Sequence, residues 1–265
     1  MTRSALPGFV LFHVPHDSTW IPDEVRSQFL LDDAALASEI VKMTDHLTME
    51  LITRDVPEMQ LVRAEVSRLV VDVERFDDPS EVMLERGMGV IYSNTSDGSA
   101  LRSEITPEQR NQLIANWYVP HHQRLTNLAN AMIYQYGHAL LIDVHSFPSR
   151  PLPYEPDQRK DRPDICLGTD EFHTPAALET SFRNAFVDQG FSVSTNFPFG
   201  GALVPMQHYG TDTRLSAIMI EVNRSLYLEE ATGVKNSRFE DIRERIRNGI
   251  LTAIQNCQHR SLVDP

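Results

Sequence analysis

The chain is short of cysteine, of positive charge and of long apolar runs, and each shortage excludes something. Cys166 and Cys257 are its only two cysteines, so no disulfide framework is implied and a reducing, cytoplasmic setting is the simplest expectation. With 24 Lys and Arg against 37 Asp and Glu, the formal net charge is -13, a sign that repels polyphosphate and argues against nucleic-acid or anionic-membrane partners. No segment approaches the roughly 18 consecutive apolar residues of a membrane span. The opening "MTRSALPGFVLFHVPHDS" has its apolar run broken at His13, too early for a signal peptide's apolar region. Several strong signatures are also missing: a phosphate loop, a GxGxxG after a strand, a GxSxG nucleophile elbow and an HExxH helix.

Four short apolar, β-branched runs are present: "GFVLFHV" (8 to 14), "SRLVVDV" (67 to 73), "HALLIDV" (138 to 144) and "SAIMIEV" (216 to 222). Each is bounded by turn formers or polar residues, as buried strands of a parallel or mixed sheet should be. Between them lie helical patterns. Thr106, Pro107 and Gln109 form a capping-box start, with Gly137 after the last turn, and Thr174, Pro175 and Gly190 repeat the arrangement. A further helix is expected from Ser237, and residues 32 to 54 carry apolar residues at helical spacing. Pro120 should kink or divide the 106 to 136 pattern. Alternating strands and helices, at 265 residues, predict one α/β domain over 1–265 with an open sheet. Residues 146 to 165 hold five prolines and read as a long loop beside the site, a lid or substrate loop.

All four runs end in ionisable residues: "HVPHD", "DVERFDD", "DVHS" and "EVNR". In open α/β sheets ligands bind outside the carboxyl ends of the strands, so one site fed by four strand ends is the economical reading. For any one of these residues the structural alternative is an ion pair or a cap. His145 and His16 are the best metal-ligand candidates, because imidazole is a common Zn²⁺ ligand and an acidic third ligand leaves a position open. Asp143 shares a strand face with His145 and is placed to orient its ring. Glu221 in an apolar run is a candidate general base, since burial raises a carboxyl pKa; a buried ion pair is the alternative. Arg68, Arg75 and Arg224 flank the second and fourth runs, and Arg binds carboxylates bidentately. His13 and His16 form an HxxH across Pro15 and need not point one way. His121 and His122 sit at the Pro120 interruption, where a kink could turn one inward. Ser146 lacks the elbow of a nucleophile.

In order along the chain, "VPHDSTWIP" (14 to 22), "TDHLTMEL" (44 to 51), "SRLVVDVERF" (67 to 76), "YVPHHQRL" (118 to 125), "LLIDVHSFP" (140 to 148), "DICLG" (164 to 168), "NFPFGGAL" (196 to 203) and "IMIEVNRSLY" (218 to 227) resemble the N-formylglutamate amidohydrolase family. Two stretches depart from the family pattern. "PHDS" stands where PHSG is usual, and "DVERF" stands for a DLNRP-like stretch.

The resemblance implies a zinc carboxypeptidase-like fold, with a mixed, mostly parallel central sheet flanked by helices, and metal-dependent hydrolysis of an N-acyl amino acid such as N-formyl-L-glutamate. It implies Zn²⁺, or another divalent transition metal, on His16, Asp45 and His145, with Glu221 as the base. Arg75, Arg224 and Asn223 become candidate substrate-binding residues. The expected partner is a small N-acyl amino acid or short peptide. A peptide-directed carboxypeptidase or other amidase, and a non-catalytic binding or sensor protein, stay open as alternatives.

Overall fold

The strands form because short, β-branched apolar runs can bury both faces at once. The computed structural model describes residues 6–53 and 56–261, without the side chains of 258–261; the first five residues and residue 54, on which parts of the sequence reading fell, lie outside it. Six strands, β1 (Val10–Val14), β2 (Leu61–Arg63), β3 (Ala139–Phe147), β4 (Ile165–Gly168), β5 (Val193–Thr195) and β6 (Leu215–Asn223), make one sheet in the order β2-β1-β3-β6-β4-β5. The pairs β2–β1, β1–β3 and β3–β6 are parallel, β4 runs antiparallel to β6, and β5 is parallel to β4. This is the single α/β unit with a mixed, mostly parallel sheet that the sequence predicts. A separate two-stranded ribbon joins β7 (Leu228–Glu229) and β8 (Val234–Lys235).

Helices cover both faces. They are α1 (Asp23–Arg26), α2 (Asp33–Met43), α3 (Thr48–Thr53), α4 (Pro107–Leu113), α5 (Val119–Tyr136), α6 (Ala176–Asp188) and α7 (Phe239–Ser261). On one face Val14, Val144 and Val222 continue an apolar cluster that includes Leu51, Phe182 and Ile246 from α3, α6 and α7. On the other, Leu11, Leu141 and Ala217 pack on Leu125, Ala129 and Met132 of α5. Because side chains alternate along a strand, His13, Asp143, His145 and Glu221 continue this second face. It is apolar where the strands enter and polar where they leave.

Several expectations needed correction. "SRLVVDV" is buried but is not a strand. Ser67 donates its N–H to Trp20 O, Val70 to Ser67 O and Asp72 to Val90 O, while Leu69, Val70, Val71 and Val73 fill a third apolar cluster with Val90, Tyr92 and Leu101. A β-branched run reports burial; the ladder partner that makes it a strand is a tertiary matter. The second strand is instead the three-residue β2, too short to signal itself. β3 runs on to Phe147, so the proline-rich loop begins after Phe147. The capping box at Thr106 and Gln109 forms as expected. Thr174 does not cap α6, whose first flanking residue is Pro175; its hydroxyl accepts from Asp170 N at 2.9 Å and donates to Ala217 O at 2.6 Å.

Two breaks in helical pattern shape the site. The 32 to 54 segment divides at Thr44–Leu47, with Leu47 at φ 62, a left-handed conformation that is uncommon for a bulky residue. Asp17 lies beside that turn: burial pushes its carboxyl up to about 6, and the backbone N–H groups of Leu47, Met49 and Thr48 oppose the rise. The 106 to 136 segment divides as expected, but through a π turn at Ile114–Tyr118, closed by Val119 N–H on Ile114 O, ahead of Pro120. The extra residue of a π turn rotates the helix beyond it, and His121 enters the buried α5 face.

Ile142 is fully buried at the centre of β3, paired with Phe12 and Ile218 on either side. Ile142→Ala should cost about 2–5 kcal/mol in urea-denaturation stability. A loss under about 1 kcal/mol would mean that β3 is not the packed centre of the sheet.

Candidate metal centre

β1 ends at Val14, and Pro15 carries the chain out so that His16 sits just past the sheet. Asp45 donates its backbone N–H to His16 O at 2.9 Å, which ties the α2–α3 break to the end of β1. His145 lies near the end of β3. Three atoms converge: His16 Nδ1 and His145 Nδ1 are 3.3 Å apart, and Asp45 Oδ2 is 3.6 Å from the first and 3.3 Å from the second. Bonds of about 2.0–2.1 Å from a tetrahedral metal put its ligand atoms about 3.3–3.4 Å apart. Two imidazole nitrogens and one carboxylate oxygen at that spacing fit zinc or a similar divalent ion, and all three residues are buried.

The far side of each ligand is held. His16 Nε2 lies 2.8 Å from Asp72 Oδ1, and His145 Nε2 lies 3.1 Å from both Asp143 Oδ1 and Glu74 Oε1. Carboxylates on Nε2 select the tautomer that keeps its proton there and leaves the Nδ1 lone pair free for a metal. Asp72 Oδ2 in turn accepts from Arg68 Nη2 at 2.7 Å and Tyr92 OH at 2.5 Å. Burial alone would raise the Asp72 carboxyl, but the Arg68 and His16 charges hold it well below the usual carboxylate range. Asp45 Oδ1 accepts from Arg224 Nη2 at 2.7 Å. Burial is again outweighed, by hydrogen bonds from His145 and His16 and by the Arg224 charge, and Asp45 stays well below its ordinary value. Asp143 behaves likewise: the His145 and His13 contacts overcome burial.

Glu221 is the exception. It pairs with His145 across the parallel β3–β6 ladder, so both side chains leave one sheet face on neighbouring strands about 4.8 Å apart. Its Oε2 is buried and has no hydrogen-bond partner among the described residues. Burial pushes the carboxyl up to about 8; the charges of His145 and Arg224 oppose the rise, and those of Asp45 and Glu74 add to it. On the opposite neighbour, β4, Cys166 pairs with Glu221. Burial, then the Glu221 charge, pushes its thiol up to about 11, and it donates to Phe199 O, so it stays protonated.

The remaining candidates divide. Arg68 is buried against Asp72. Arg224 spends its donors on Asp45, on Lys42 O at 2.7 Å and on Ser146 O and Oγ at 3.2 and 3.1 Å, so it braces the Asp45 side chain and fixes Ser146. Asn223 accepts from Ser225 N–H and Oγ–H and donates to Pro163 O, tying the end of β6 to the proline-rich loop. Arg75 keeps a buried Nε without a hydrogen-bond partner among the described residues, 3.7 Å from Asp72 Oδ2. The side chains of Arg75 and Glu74 are 21% and 16% exposed, against at most 5% for His16, Asp45 and His145, so these two are the more solvent-facing residues beside the cluster. His13 and His16 do point to different partners, and His121, not His122, turns inward; His122 bonds Val73 O at 2.8 Å. Glu74 stands out in the sequence as a departure from the family pattern that alters the pocket, whereas Asp72 and Tyr92 do not stand out as site residues. "DVERF" showed the two acids, but only folding reveals that Asp72 faces His16.

Metal-ligand geometry at the strand ends of a mixed α/β sheet defines a candidate metallohydrolase, and comparison with known proteins names the family. Residues 9–228 match the family model described as N-formylglutamate amidohydrolase: the chain belongs to the N-formylglutamate amidohydrolase family. N-formylglutamate deformylase of Pseudomonas putida is 28% identical over 229 residues, 83% of this chain and 82% of that protein. The crystal structure of an N-formylglutamate amidohydrolase from Ralstonia eutropha JMP134 superposes with a TM-score of 0.79 at 21% identity, covering 96% of this chain and 94% of that one. A gene product of Agrobacterium tumefaciens gives 0.64 at 21% identity over 94% and 92%. These two likenesses establish a shared fold. Among the described residues no helix is long and apolar enough to cross a membrane.

Asp72→Asn should weaken metal binding about 10–100-fold, because the carboxamide could present its N–H₂ to His16 and unset the tautomer. Competition with a chromophoric chelator measures this. Unchanged affinity would mean that Asp72 serves Arg68 alone.

Proposed function

We propose that this chain is a zinc-dependent hydrolase that cleaves the amide bond of an N-acyl amino acid resembling N-formyl-L-glutamate, giving formate and glutamate from that substrate. The observation that carries the reading is Glu221: a buried carboxylate with an unpartnered oxygen beside a three-ligand cluster of metal-binding geometry. A purely structural carboxylate is expected to have its partners, and a binding protein has no need of a base there. Family membership supports amide hydrolysis, and the deformylase relative supports an N-formyl substrate.

His16, Asp45 and His145 hold the metal, which when bound supplies Lewis-acid polarisation of the acyl carbonyl and positive charge beside the attacking water. Glu221 Oε2 takes a proton from that water as its oxygen bonds to the acyl carbon, then delivers the proton to the leaving nitrogen as the C–N bond breaks. Its raised affinity for a proton in this buried setting suits the second half of that cycle. Asp143 and Asp72 keep both imidazoles in the ligating tautomer, and Arg224 keeps Asp45 ionised. Arg75, whose Nε is unspent, is the guanidinium left to hold a substrate carboxylate. The loop from 148 to 164 forms a wall of the site; it is stiffened by the buried ion pair of Arg162 with Glu155 and joined to β6 through Asn223 and Pro163.

Glu221→Gln should retain metal and lose about 10²–10⁴ in kcat on a panel of N-formyl, N-acetyl and peptide substrates; near-normal turnover would sink the assignment. His145→Ala should lose metal and activity together, read by elemental analysis of folded protein. A folded variant with full metal content would make His145 structural. Arg75→Ala should raise KM for substrates with a free carboxylate about tenfold or more, while the corresponding methyl esters change little. Equal effects on acid and ester would remove Arg75 from carboxylate recognition.

A further inference from the structure

Beside the first cluster, on the other side of the His145 ring, lies a second group of ligand-type side chains: His13, Glu74 and Asp143. His13 Nδ1 is 2.8 Å from Asp143 Oδ1 and 3.7 Å from Glu74 Oε1. His145 Nε2 is 3.1 Å from each of those two oxygens. Two ring nitrogens and two carboxylate oxygens therefore face one another at separations that bracket the roughly 3.3 Å edge of a tetrahedral site. His13, Asp143 and His145 are 0%, 1% and 4% exposed, so this is an interior arrangement rather than an acidic patch on the surface.

Two further observations bear on what sits there. The outward side of His13 is already committed: its Nε2 lies 2.8 Å from His121 Nε2. With Nε2 as the N–H donor to His121, Nδ1, which hydrogen-bonds Asp143 when no cation is bound, is free to turn its lone pair to a cation, the outer-partner pattern of a metal-ligating histidine. Charge is the second observation. Asp72 and Asp45 each have a guanidinium within 2.7 Å, whereas Asp143 and Glu74 have only imidazoles as cationic partners among the described residues. Buried carboxylates need a counter-charge.

We propose that His13, Glu74 and Asp143, together with Nε2 of His145, form a second divalent-cation site, joined to the first through the His145 ring. The mixed nitrogen and oxygen donor set suits Zn²⁺, Co²⁺ or Mn²⁺. Ligation through both ring nitrogens displaces the His145 N–H proton to solvent, and Asp143 ligates with the oxygen that otherwise orients the ring. Glu74, the most exposed of the four, is the entry side. The proposal rests on the reading of His16, Asp45 and His145 as a metal centre, because the bridging ring belongs to both.

Titration of the metal-free protein with Co²⁺, followed by visible absorption and by elemental analysis after gel filtration, tests both readings separately. Two equivalents are expected for the wild type, and one each for Glu74→Gln and His13→Asn. Glu74→Gln is nearly isosteric at the rim, so it carries the test if the His13 variant fails to fold. A single break at one equivalent in the wild type overturns the second site and leaves the first standing. No bound cobalt overturns both. Two equivalents that persist in Glu74→Gln overturn the placement of the second ion at this cluster.

Discussion

Asp45, Asp72, Asp143 and Glu221 are all buried at one end of one sheet, and a carboxylate removed from water without a partner costs several kcal/mol. Satisfying that constraint organises the site. Asp72 is held by Arg68 and Tyr92, Asp45 by Arg224, and Asp143 by the rings of His13 and His145. Arg224 and His13 lie 179 and 130 residues from the carboxylates they meet, so those two contacts also tie the fold together, whereas Arg68 is only one helical turn from Asp72 in sequence. Of the four, Glu221 alone keeps an oxygen without a hydrogen-bond partner among the described residues, and it does so beside His145.

The regular sheet cannot by itself bring Asp45 to the two histidines, since His16 and His145 issue from β1 and β3 while Asp45 belongs to neither. Irregular backbone supplies it. The break between α2 and α3, with left-handed Leu47 and the Asp45 N–H donated to His16 O, aims Asp45 at the cluster. The π turn before α5 does the comparable job for His121, setting it against His13. Departures from ideal helix geometry thus coincide with the residues that meet the polar ends of the strands, as strained or irregular segments often do at functional sites.

Much of the architecture was legible beforehand, in specific places. β1, β3 and β6 announced themselves because strands buried on both faces must be continuously apolar, and their polar last residues marked the site end of the sheet. The capping box at Thr106 and the division near Pro120 followed from local hydrogen-bonding chemistry. What misled was "SRLVVDV": burial drives composition, and a buried turn-rich segment satisfies the same hydrophobic demand as a strand. β2, β4 and β5, of three or four residues, carry too little pattern to be seen. Asn223 and Arg224 looked like free polar groups at a strand end, and their hydrogen bonds to Pro163, Lys42 and Asp45 depend on segments remote in sequence.

By itself the sequence determined which residues can be strand or helix, the net negative charge, and the short roster of imidazoles and carboxylates at strand ends, because these follow from local preference and side-chain type. Only the tertiary structure decided which of them converge. It set His145 beside Glu221 by the register of β3 on β6, gave Asp72 to His16 and Asp45 to Arg224, and left Arg75 and Glu221 with capacity to spare. The geometry of His16, Asp45 and His145 is a matter of a few tenths of an ångström between segments remote in sequence, and only packing fixes that.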